Sequence, residues 1–487
     1  MTIWQPNITP GDRPRYLALA DAIEEGVAAG QLAPGQRLPT HRDLAEALGV
    51  TVGTITRGYA EAARRGLVRG EVGRGTVVMR GGEAPCPWWG ASQTGSGQAG
   101  SGQVGVSGHA PKAAPGGAQV VDMGLVTGLT AHDPDLGAAL ASLATRPDIQ
   151  QLLRYQPSGG VARHREAGVG WLSRHGVKAE PGQVVVTSGG QHALLVTLSA
   201  LFRPGDRVLC AGLNYPGLMS VAALLGLRLV PVDSDAEGLL PAAIDDACQR
   251  EDIRGLYLMP GMHNPTCARM GPERLARMAE LARRHDLSVI EDGAYALTGP
   301  DGPDRPCAPL APLIPERCFY VASVSKMLTE GLRVAYVAAP PEFTERLSLG
   351  ITSTTWMASP LCAELAALWI GDGTADAVLA RKRGEAQRRV RLAARLLDGF
   401  GLRTRPMGYF AWLPLPEPWR GEEFERAALE RGVAVVAGGS FAVGQTPAPM
   451  AVRLSLSAPR TEAELERGLA VLAELLRQPP RQGRAIV

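Results

Sequence analysis

A stretch of low complexity near residue 100 divides the chain into parts that must fold separately. Residues 81–118 consist mainly of Gly, Ser, Ala, Gln and Pro and include the run TGSGQAGSGQVGVSGHAPKAAPGG. This composition buries too little apolar surface to offset the loss of chain entropy, so it predicts a flexible linker. We therefore expect one domain over 1–80, a linker over 81–118 and a larger domain over 119–487. The pair Trp88–Trp89 inside the linker has no evident role.

The overall composition is that of a soluble globular protein. The 487 residues predict two or three domains, with 45% hydrophobic and 20% charged residues. No apolar run approaches the roughly 18 residues of a membrane-spanning helix, and Met1–Tyr16 lacks the features of a signal peptide. The seven cysteines are odd in number and never spaced as CxxC, which argues against a disulfide framework or a zinc site. We expect a cytoplasmic protein without a metal site.

The N-terminal part carries the pattern of three short helices. Apolar residues at helical spacing predict a helix over 14–29. Thr40 has the capping-box spacing before a helix over 42–48, which Gly49 ends. A third helix, capped by Thr51, is expected over 52–65.

A hairpin and a basic stretch follow these helices. Residues 67–78 read as two strands around a Gly-Arg-Gly turn at 73–75. Residues 51–80 hold six Arg and two Glu, a balance of +4, whereas residues 1–50 hold four Arg and six Asp or Glu, a balance of −2. Basic charge confined to one part of a small domain is typical of a phosphate-binding face.

The three helices and the hairpin resemble the GntR family of bacterial regulators. The resemblance rests on LAPGQRLPTHRDLAEALGV, TVGTITRGYAEAARRGLV and GRGTVV. It implies a winged helix-turn-helix that binds double-stranded operator DNA, with the third helix in the major groove. The alternative is a winged helix used for protein contacts. The residues expected at the DNA are Arg42, Thr51, Thr54, Thr56, Arg57 and Arg74.

The larger part alternates strand-like and helical segments. The helical example is 272–285, whose apolar residues share one face. Such alternation predicts an α/β fold with a mostly parallel sheet, and a smaller α+β portion is expected over 401–457. The expected strands are 183–187, 207–211, 228–232, 255–259, 288–291, 318–322 and 334–338.

Lysine is so rare that its positions are informative. Of the 50 basic residues only four are lysine: Lys112 lies in the linker, Lys178 in a polar loop and Lys382 in a highly charged helix. Lys326 alone follows a buried-looking strand, in the run Ser-Val-Ser-Lys. A lysine in apolar surroundings loses its proton easily and forms a Schiff base with a carbonyl compound.

Other polar residues stand at similar strand ends. Asp292 ends the strand SVIED, where ligands of open α/β sheets lie, and a buried carboxylate there suits a protonated pyridine nitrogen. The backbone of Thr187–Gln191 joins a strand to a helix start and suits a phosphate. Arg333 offers a bidentate phosphate contact, and Tyr215 offers a flat ring for stacking.

The order of these features resembles fold-type-I pyridoxal-phosphate enzymes of the aspartate aminotransferase kind. The motifs are TSGGQHAL, NYPG, HNPTC, EDGAY, SVSK and GLRVAY, and the resemblance covers about residues 120–475. It implies pyridoxal 5'-phosphate as cofactor, Lys326 as its Schiff-base lysine, Asp292 at the pyridine nitrogen and Tyr215 against the ring. It further implies Asn264 and Tyr295 at the cofactor hydroxyl. The phosphate would be held by Gly189, Gly190, Gln191, Ser323, Ser325 and Arg333, with Tyr155 reaching the phosphate of a neighbouring subunit.

Two further positions bear on the ligand. Arg453 in VRLSLS matches the arginine that binds a substrate α-carboxylate in this family; the alternative is a plain strand-end arginine. Cys267 stands where family members usually carry glycine; we expect a cysteine to fit there, and the alternative is a change of loop geometry that impairs normal catalysis.

A GntR-like domain, a linker and an aminotransferase-like domain in this order resemble the MocR subfamily of regulators. The resemblance implies a head-to-tail homodimer. It also implies that pyridoxal phosphate, or its Schiff base with an amino acid or amine, controls operator binding. The alternative is a working aminotransferase that carries a DNA-binding module. The identity of the effector, the operator and the sign of regulation stay open.

Overall fold

The computed structural model describes residues 4, 6, 15–29, 31–33, 36–64, 67–71, 75–78, 120–299 and 308–478. The chain divides into two compact units, Met1–Gly102 and Gln103–Val487. The expectations for the linker over 81–118, including Trp88–Trp89, and for Arg74 in the hairpin turn lie outside the described residues.

The N-terminal unit has three helices and a hairpin. Thr40 caps the second helix, because its side chain accepts a hydrogen bond from Asp43 N, and Gly49 ends that helix with a left-handed φ of 60°. Thr51 Oγ1 accepts from Thr54 N at the start of the third helix. The two strands are antiparallel. The elements are Arg15–Ala28, His41–Leu48, Val52–Arg64, Val68–Glu71 and Gly75–Val78.

The core of this unit lies between the first and third helices. Leu19, Ile23, Leu44 and Ile55 are fully buried there. The helices approach closely at Gly58, where an added Cβ would lie 2.6 Å from the Leu19 side chain. Val52, Thr56 and Arg57 of the third helix are exposed.

The C-terminal unit is built on a seven-stranded sheet. Its second strand in spatial order, Ala335–Ala338, is antiparallel to both neighbours. The other neighbouring pairs are parallel, which confirms the expectation of a mostly parallel sheet. In spatial order the strands are Val184–Thr187, Ala335–Ala338, Cys318–Ser323, Ser288–Asp292, Ile253–Leu258, Arg207–Ala211 and Arg228–Val232.

Helices cover this sheet and form one large apolar core with it. The expected amphipathic helix is Pro272–Arg284, and its Leu275 and Met278 are buried. The helices of this unit are Leu136–Ala144, Ala162–Arg174, Gly190–Leu201, Pro216–Leu224, Pro241–Arg250, Pro272–Arg284, Thr344–Thr352, Pro360–Gly371, Thr374–Leu396, Gly421–Glu430 and Glu462–Arg477.

A second apolar core belongs to a smaller portion near the C-terminus. Its three-stranded sheet has the spatial order Phe410–Pro414, Ala451–Ser455 and Val436–Ala437. Val121–Asp122, near the start of the described part of this unit, pairs in parallel with Val433–Ala434. The short strands Ser234–Asp235 and Gly238–Leu239 form one further antiparallel pair in this unit. None of the described helices combines the length and apolar character needed to cross a membrane.

Candidate functional site

Chain segments that carry the expected site residues meet at one edge of the seven-stranded sheet. The parallel strands direct their carboxyl ends to this edge, and the antiparallel strand Ala335–Ala338 begins there. The sheet topology therefore gathers residues that lie far apart in sequence. The segments are Thr187–Gln191, Asn214–Tyr215, Asp292–Tyr295, Ser323–Lys326 and Arg333.

Arg333 and two serines form a cationic corner beside a helix start. Arg333 Nη1 donates to Ser325 Oγ at 3.2 Å, and Ser325 N donates to Ser323 Oγ at 3.2 Å. Arg333 has a left-handed φ of 52°. Gly189, the N-cap of helix Gly190–Leu201, lies against its guanidinium, since an added Cβ would be 2.6 Å from Nη2. Donors from a guanidinium, hydroxyls and a helix start suit a phosphate.

The side chains of Tyr215, Gln191 and His192 make hydrogen bonds at this helix start. Tyr215 Oη donates to Gln191 Oε1 at 3.1 Å, and Gln191 Nε2 donates to Gly217 O at 2.9 Å. His192 Nδ1 accepts from Ser188 N at 2.9 Å, and burial lowers the pKa of this histidine. The sequence analysis missed His192, because one histidine in a helix has no distinguishing pattern.

Asp292 is a buried carboxylate at the end of its strand. Tyr257 Oη donates to Asp292 Oδ2 at 2.8 Å, and Ala294 N donates to Oδ1 at 2.9 Å. Burial raises the pKa of Asp292, so its charged form calls for a cationic partner. The supporting residue Tyr257 was also missed; it lies within an apolar strand.

Lys326 lies between a backbone carbonyl and a carboxylate. Its Nζ donates to Val126 O at 2.6 Å, and Glu330 Oε2 lies 3.8 Å from the same nitrogen. Burial lowers the pKa of Lys326, while the Glu330 charge acts in the opposite direction. A lysine with a depressed pKa supplies more of the neutral amine that attacks carbonyl carbon.

Arg453 is fixed from the smaller portion of the unit. Its Nη1 donates to Asn264 Oδ1 at 2.9 Å, and its Nη2 donates to Gly124 O at 2.6 Å. The guanidinium carbon lies 4.8 Å from the centroid of the Phe441 ring. Its buried Nε has no hydrogen-bond partner among the described residues.

One short segment, Asp122–Gly128, touches both cationic side chains, and we call it the strap. Asp122 Oδ1 accepts from Gly124 N at 2.8 Å and shapes its first turn. The carbonyls of Gly124 and Val126 then accept from Arg453 and Lys326. At its end, Gly128 N donates to Glu330 Oε2 at 3.3 Å. Alternate residues of the strap thus contact successive groups of the site.

Two expected residues lie in contrasting surroundings. Tyr295 is buried, with its ring centroid 5.0 Å from that of Phe410. Tyr155 is 81% exposed and lies beside the exposed ring of Trp356. Within the described part of the chain, Tyr295 is therefore buried against Phe410, whereas Tyr155 lies on the surface.

Cys267 keeps the loop geometry that glycine would favour. Its φ is 59°, in the left-handed region, and its side chain is buried. The Cys267 carbonyl accepts from Arg405 Nε at 2.7 Å. Burial raises the pKa of the thiol to about 12, so little reactive thiolate forms.

Lys382 lies behind the Lys326 segment and is fully buried. Its Nζ donates to Asp133 Oδ1 at 2.6 Å and to Leu328 O at 2.8 Å, and Thr329 Oγ1 donates to Asp133 Oδ2. The charged helix around Lys382 had suggested nothing special about this lysine. The network joins three distant segments and fixes the residues that follow Lys326.

Of the expected DNA-contacting residues, those that the structure describes lie on the second helix and at the start of the third helix. Arg42, Thr56 and Arg57 are exposed. Thr51 and Thr54 share a hydrogen bond of 2.9 Å between their hydroxyls. Arg57 Nε donates to Gly53 O at 3.4 Å, and the Arg57 guanidinium carbon lies 5.6 Å from the centroid of the Tyr16 ring.

Two further residues lie close to Arg42 and Thr56. Arg37 and His41 line a concave surface together with Arg42 and Thr76. His41 Nδ1 lies 3.1 Å from Thr56 Oγ1, which joins the second helix to the third. Neither Arg37 nor His41 was predicted from sequence to contact DNA.

Family models match both units. The model for aminotransferase class I and II matches residues 123–472, and the model for bacterial regulatory proteins of the gntR family matches residues 15–78. The first match covers most of the chain.

Full-length relatives share this arrangement. The HTH-type transcriptional regulator YdeF of Bacillus subtilis is 33% identical over 473 residues, which cover 97% of this chain and 96% of the relative. The vitamin B6 salvage pathway transcriptional repressor PtsJ of Salmonella typhimurium is 26% identical, over 89% and 93% of the two chains. Among solved structures, LysN from Thermus thermophilus, an α-aminoadipate aminotransferase complexed with N-(5'-phosphopyridoxyl)-L-leucine, is 27% identical with a TM-score of 0.66. It covers 74% of this chain and 92% of its own.

The residues at the sheet edge fit pyridoxal phosphate. The tight approach of Gly189 to Arg333 leaves a cradle that a side chain would fill. Asp292 is a buried carboxylate without a cationic partner within 4 Å among the described residues. Lys326 supplies an amine at the same end of the sheet. Arg333 beside Gly189 thus suits the cofactor's phosphate, Asp292 suits its ring nitrogen, and Lys326 suits its aldehyde carbon.

Sequence, fold and site agree on one family. The chain belongs to the HTH-type transcriptional regulators in which a gntR-family DNA-binding domain precedes an aminotransferase class I and II domain, and its cofactor is pyridoxal phosphate.

Proposed function

We propose that the bound cofactor, alone or joined to an amino acid or amine, controls binding of the operator. The observation that carries this proposal is the strap, whose carbonyls accept from Lys326 and Arg453. Bonding of Lys326 to the cofactor and binding of a carboxylate by Arg453 both compete with these hydrogen bonds. A ligand that changes the strap's bonds has different free energies in two states of the protein, as regulation requires.

In this proposal, each residue at this end of the sheet binds a different part of the cofactor or of its amino-compound ligand. Arg333 and the helix start hold the phosphate, Asp292 keeps the ring nitrogen protonated, and Tyr215 lies against the ring. Arg453 orients an incoming carboxylate. When bound, the cofactor supplies an aldehyde carbon that bonds amines reversibly. The remaining assigned contacts are Gly189, Gly190, Gln191, Ser323 and Ser325 at the phosphate, and Asn264 and Tyr295 at the ring hydroxyl.

The N-terminal unit binds double-stranded DNA with its third helix and the adjoining face. Arg42 and Arg57 contact phosphates or base edges, and the assigned Arg74 in the hairpin turn adds a further contact. We add Arg37 and His41, since they border the same concave surface. The hydroxyls assigned to this interface are those of Thr51, Thr54 and Thr56.

We propose that the protein is a head-to-tail homodimer of the MocR type that acts in the cytoplasm. Leu153, Tyr155, Leu349 and Trp356 are large apolar residues with at least half of their surface exposed. Such residues are typical of a surface that a second copy covers. In that dimer Tyr155 reaches the phosphate of the neighbouring subunit.

A working aminotransferase with a DNA-binding module is the second candidate function. The retention of Lys326, Asp292 and Arg453 in one buried site favours it. Turnover of an amino acid with a keto acid distinguishes the two. Transamination that persists in an Arg57→Ala variant unable to bind DNA would make catalysis the main role.

The first experiment is the visible absorbance of the purified protein before and after borohydride. A yellow band that borohydride and Lys326→Ala both abolish is the expected result. A protein that shows no band even after pyridoxal phosphate is added contradicts the effector mechanism. The second unit would then act only as a dimerisation domain.

A further inference from the structure

Glu330 is a charged group of the site that the binding scheme above does not use. Its carboxylate accepts from Gly128 N at 3.3 Å and lies 3.8 Å from Lys326 Nζ. About a third of its side chain is exposed. Among the described residues, Lys326 is the cation within 4 Å of this carboxylate.

We propose that Glu330 and the Val126 carbonyl form the resting place of the Lys326 ammonium after an amino compound has displaced it from the cofactor. The proposal rests on the proposed function and names how the site favours its ligand-bound state. Glu330 acts through Lys326 and is a positioning residue.

The charge balance of the exchange gives Glu330 its role. The C=N bond between the cofactor's aldehyde carbon and Nζ breaks, and a C=N bond to the incoming nitrogen forms. Nζ already carries one proton in the protonated C=N linkage and takes up the two protons that the incoming ammonium gives up, and nothing is oxidised or reduced. Lys326 thus leaves as an ammonium with three donors. Val126 O at 2.6 Å accepts one hydrogen bond, and Glu330 supplies the opposite charge.

The same contacts connect the release of Lys326 to the strap. Val126 and Gly128 both belong to it, so the released ammonium bonds to one strap residue while its counter-ion holds another. The strap follows the linker closely in sequence. Release of Lys326 thereby adds bonds at the segment of the C-terminal unit that follows the linker in sequence.

The test measures how much amine is needed to displace Lys326. The cofactor-loaded protein is equilibrated with methylamine or L-alanine and quenched with borohydride. Intact-protein mass spectrometry then gives the fraction of chains in which the cofactor is still bonded to Lys326. Glu330→Gln is expected to raise the half-displacing concentration of both probes about two- to fivefold, the range of a partly exposed ion pair. Glu330→Asp should recover part of the loss, and the exposed control Glu342→Gln should match the wild type.

A half-displacing concentration in Glu330→Gln that stays within 1.5-fold (about the error of such titrations) of the wild-type value overturns the proposal. If Glu330→Gln does not retain cofactor, Glu330→Asp alone decides, and an unchanged value in that variant also overturns it. A wild-type protein that never bonds the cofactor refutes the proposed function instead. The two failures are therefore distinguishable.

Discussion

In the described part of the N-terminal unit, the arginines assigned to DNA (Arg37, Arg42 and Arg57) are exposed. The hydrogen bonds of the assigned side chains span short distances in sequence, and the longest joins His41 and Thr56, 15 residues apart. In the C-terminal unit, Lys326 and Arg453 bond to the strap across 200 and 329 residues. The first arrangement separates function from folding, because an exposed side chain can be removed without loss of core. The second joins them, since the groups that meet the ligand also hold distant segments together.

The largest effect that this comparison predicts is on stability. Lys382→Met should lower the free energy of unfolding of the C-terminal unit by about 3 kcal/mol or more, because the Asp133 carboxylate loses its buried partner. Urea denaturation followed by circular dichroism measures the change. Lys178→Met, at an exposed lysine, is the matched control and should change stability by less than about 0.5 kcal/mol. Equal effects of the two substitutions would break the comparison.

A pH effect on stability should come from Glu291, which precedes Asp292 in the strand Ser288–Asp292 and therefore lies on the opposite face of that strand. Glu291 is buried and accepts from Leu310 N and Ala311 N, and burial raises its pKa from 4.5 to about 7. The folded state therefore binds more protons than the unfolded state between these values, and stability falls as pH rises from 4.5 to 7. The loss attributable to this group is on the order of 2–3 kcal/mol.

Glu291→Gln tests this directly. Urea titrations from pH 4.5 to 8 should show a flatter dependence for the variant, with the difference confined to that window. A wild-type stability that rises relative to the variant across the window would reverse the assigned sign.

The next effect concerns the ligand's carboxylate. Arg453→Lys keeps the charge but loses the planar pair of donors, and it should weaken L-alanine relative to methylamine about 30-fold, or roughly 2 kcal/mol. The borohydride assay measures both probes. Arg460→Lys, at an exposed arginine, is the control. If both probes weaken equally, Arg453 is a structural arginine only.

The smallest effect in free energy concerns the DNA-binding domain. Arg57→Ala should weaken binding to duplexes selected from a random pool about tenfold, while thermal stability and the cofactor absorbance stay unchanged. Fluorescence anisotropy at several salt concentrations gives affinity and salt slope. Arg15→Ala, on the first helix, is the control. A loss of stability in Arg57→Ala would show that this unit too depends on its functional side chains.

The features that sequence predicted best depend on local chemistry. The caps at Thr40 and Thr51 were expected and are present, because capping bonds span only three residues. The strands Arg207–Ala211 and Arg228–Val232 have the expected bounds, since turn residues delimit each apolar run. The order of motifs also predicted the fold class, which the family models and solved structures confirm.

The missed features depend on contacts between distant segments. The carbonyls of Gly124 and Val126 have no sequence signature, because every residue carries the same group. Lys382 is buried within a helix whose charges suggested a solvated face. Glu330 follows Lys326 by one helical turn, a spacing that alone does not distinguish a counter-ion from a surface carboxylate.

The most direct test of the account is operator affinity with and without the cofactor. Labelled duplex selected by the protein is titrated with wild type and Lys326→Ala, each with and without pyridoxal phosphate and L-alanine. The account predicts that these ligands change the wild-type Kd at least fivefold, about 1 kcal/mol, and leave the variant unchanged. A wild-type Kd that does not respond, or a response that persists in Lys326→Ala, would contradict control of DNA binding through the buried site.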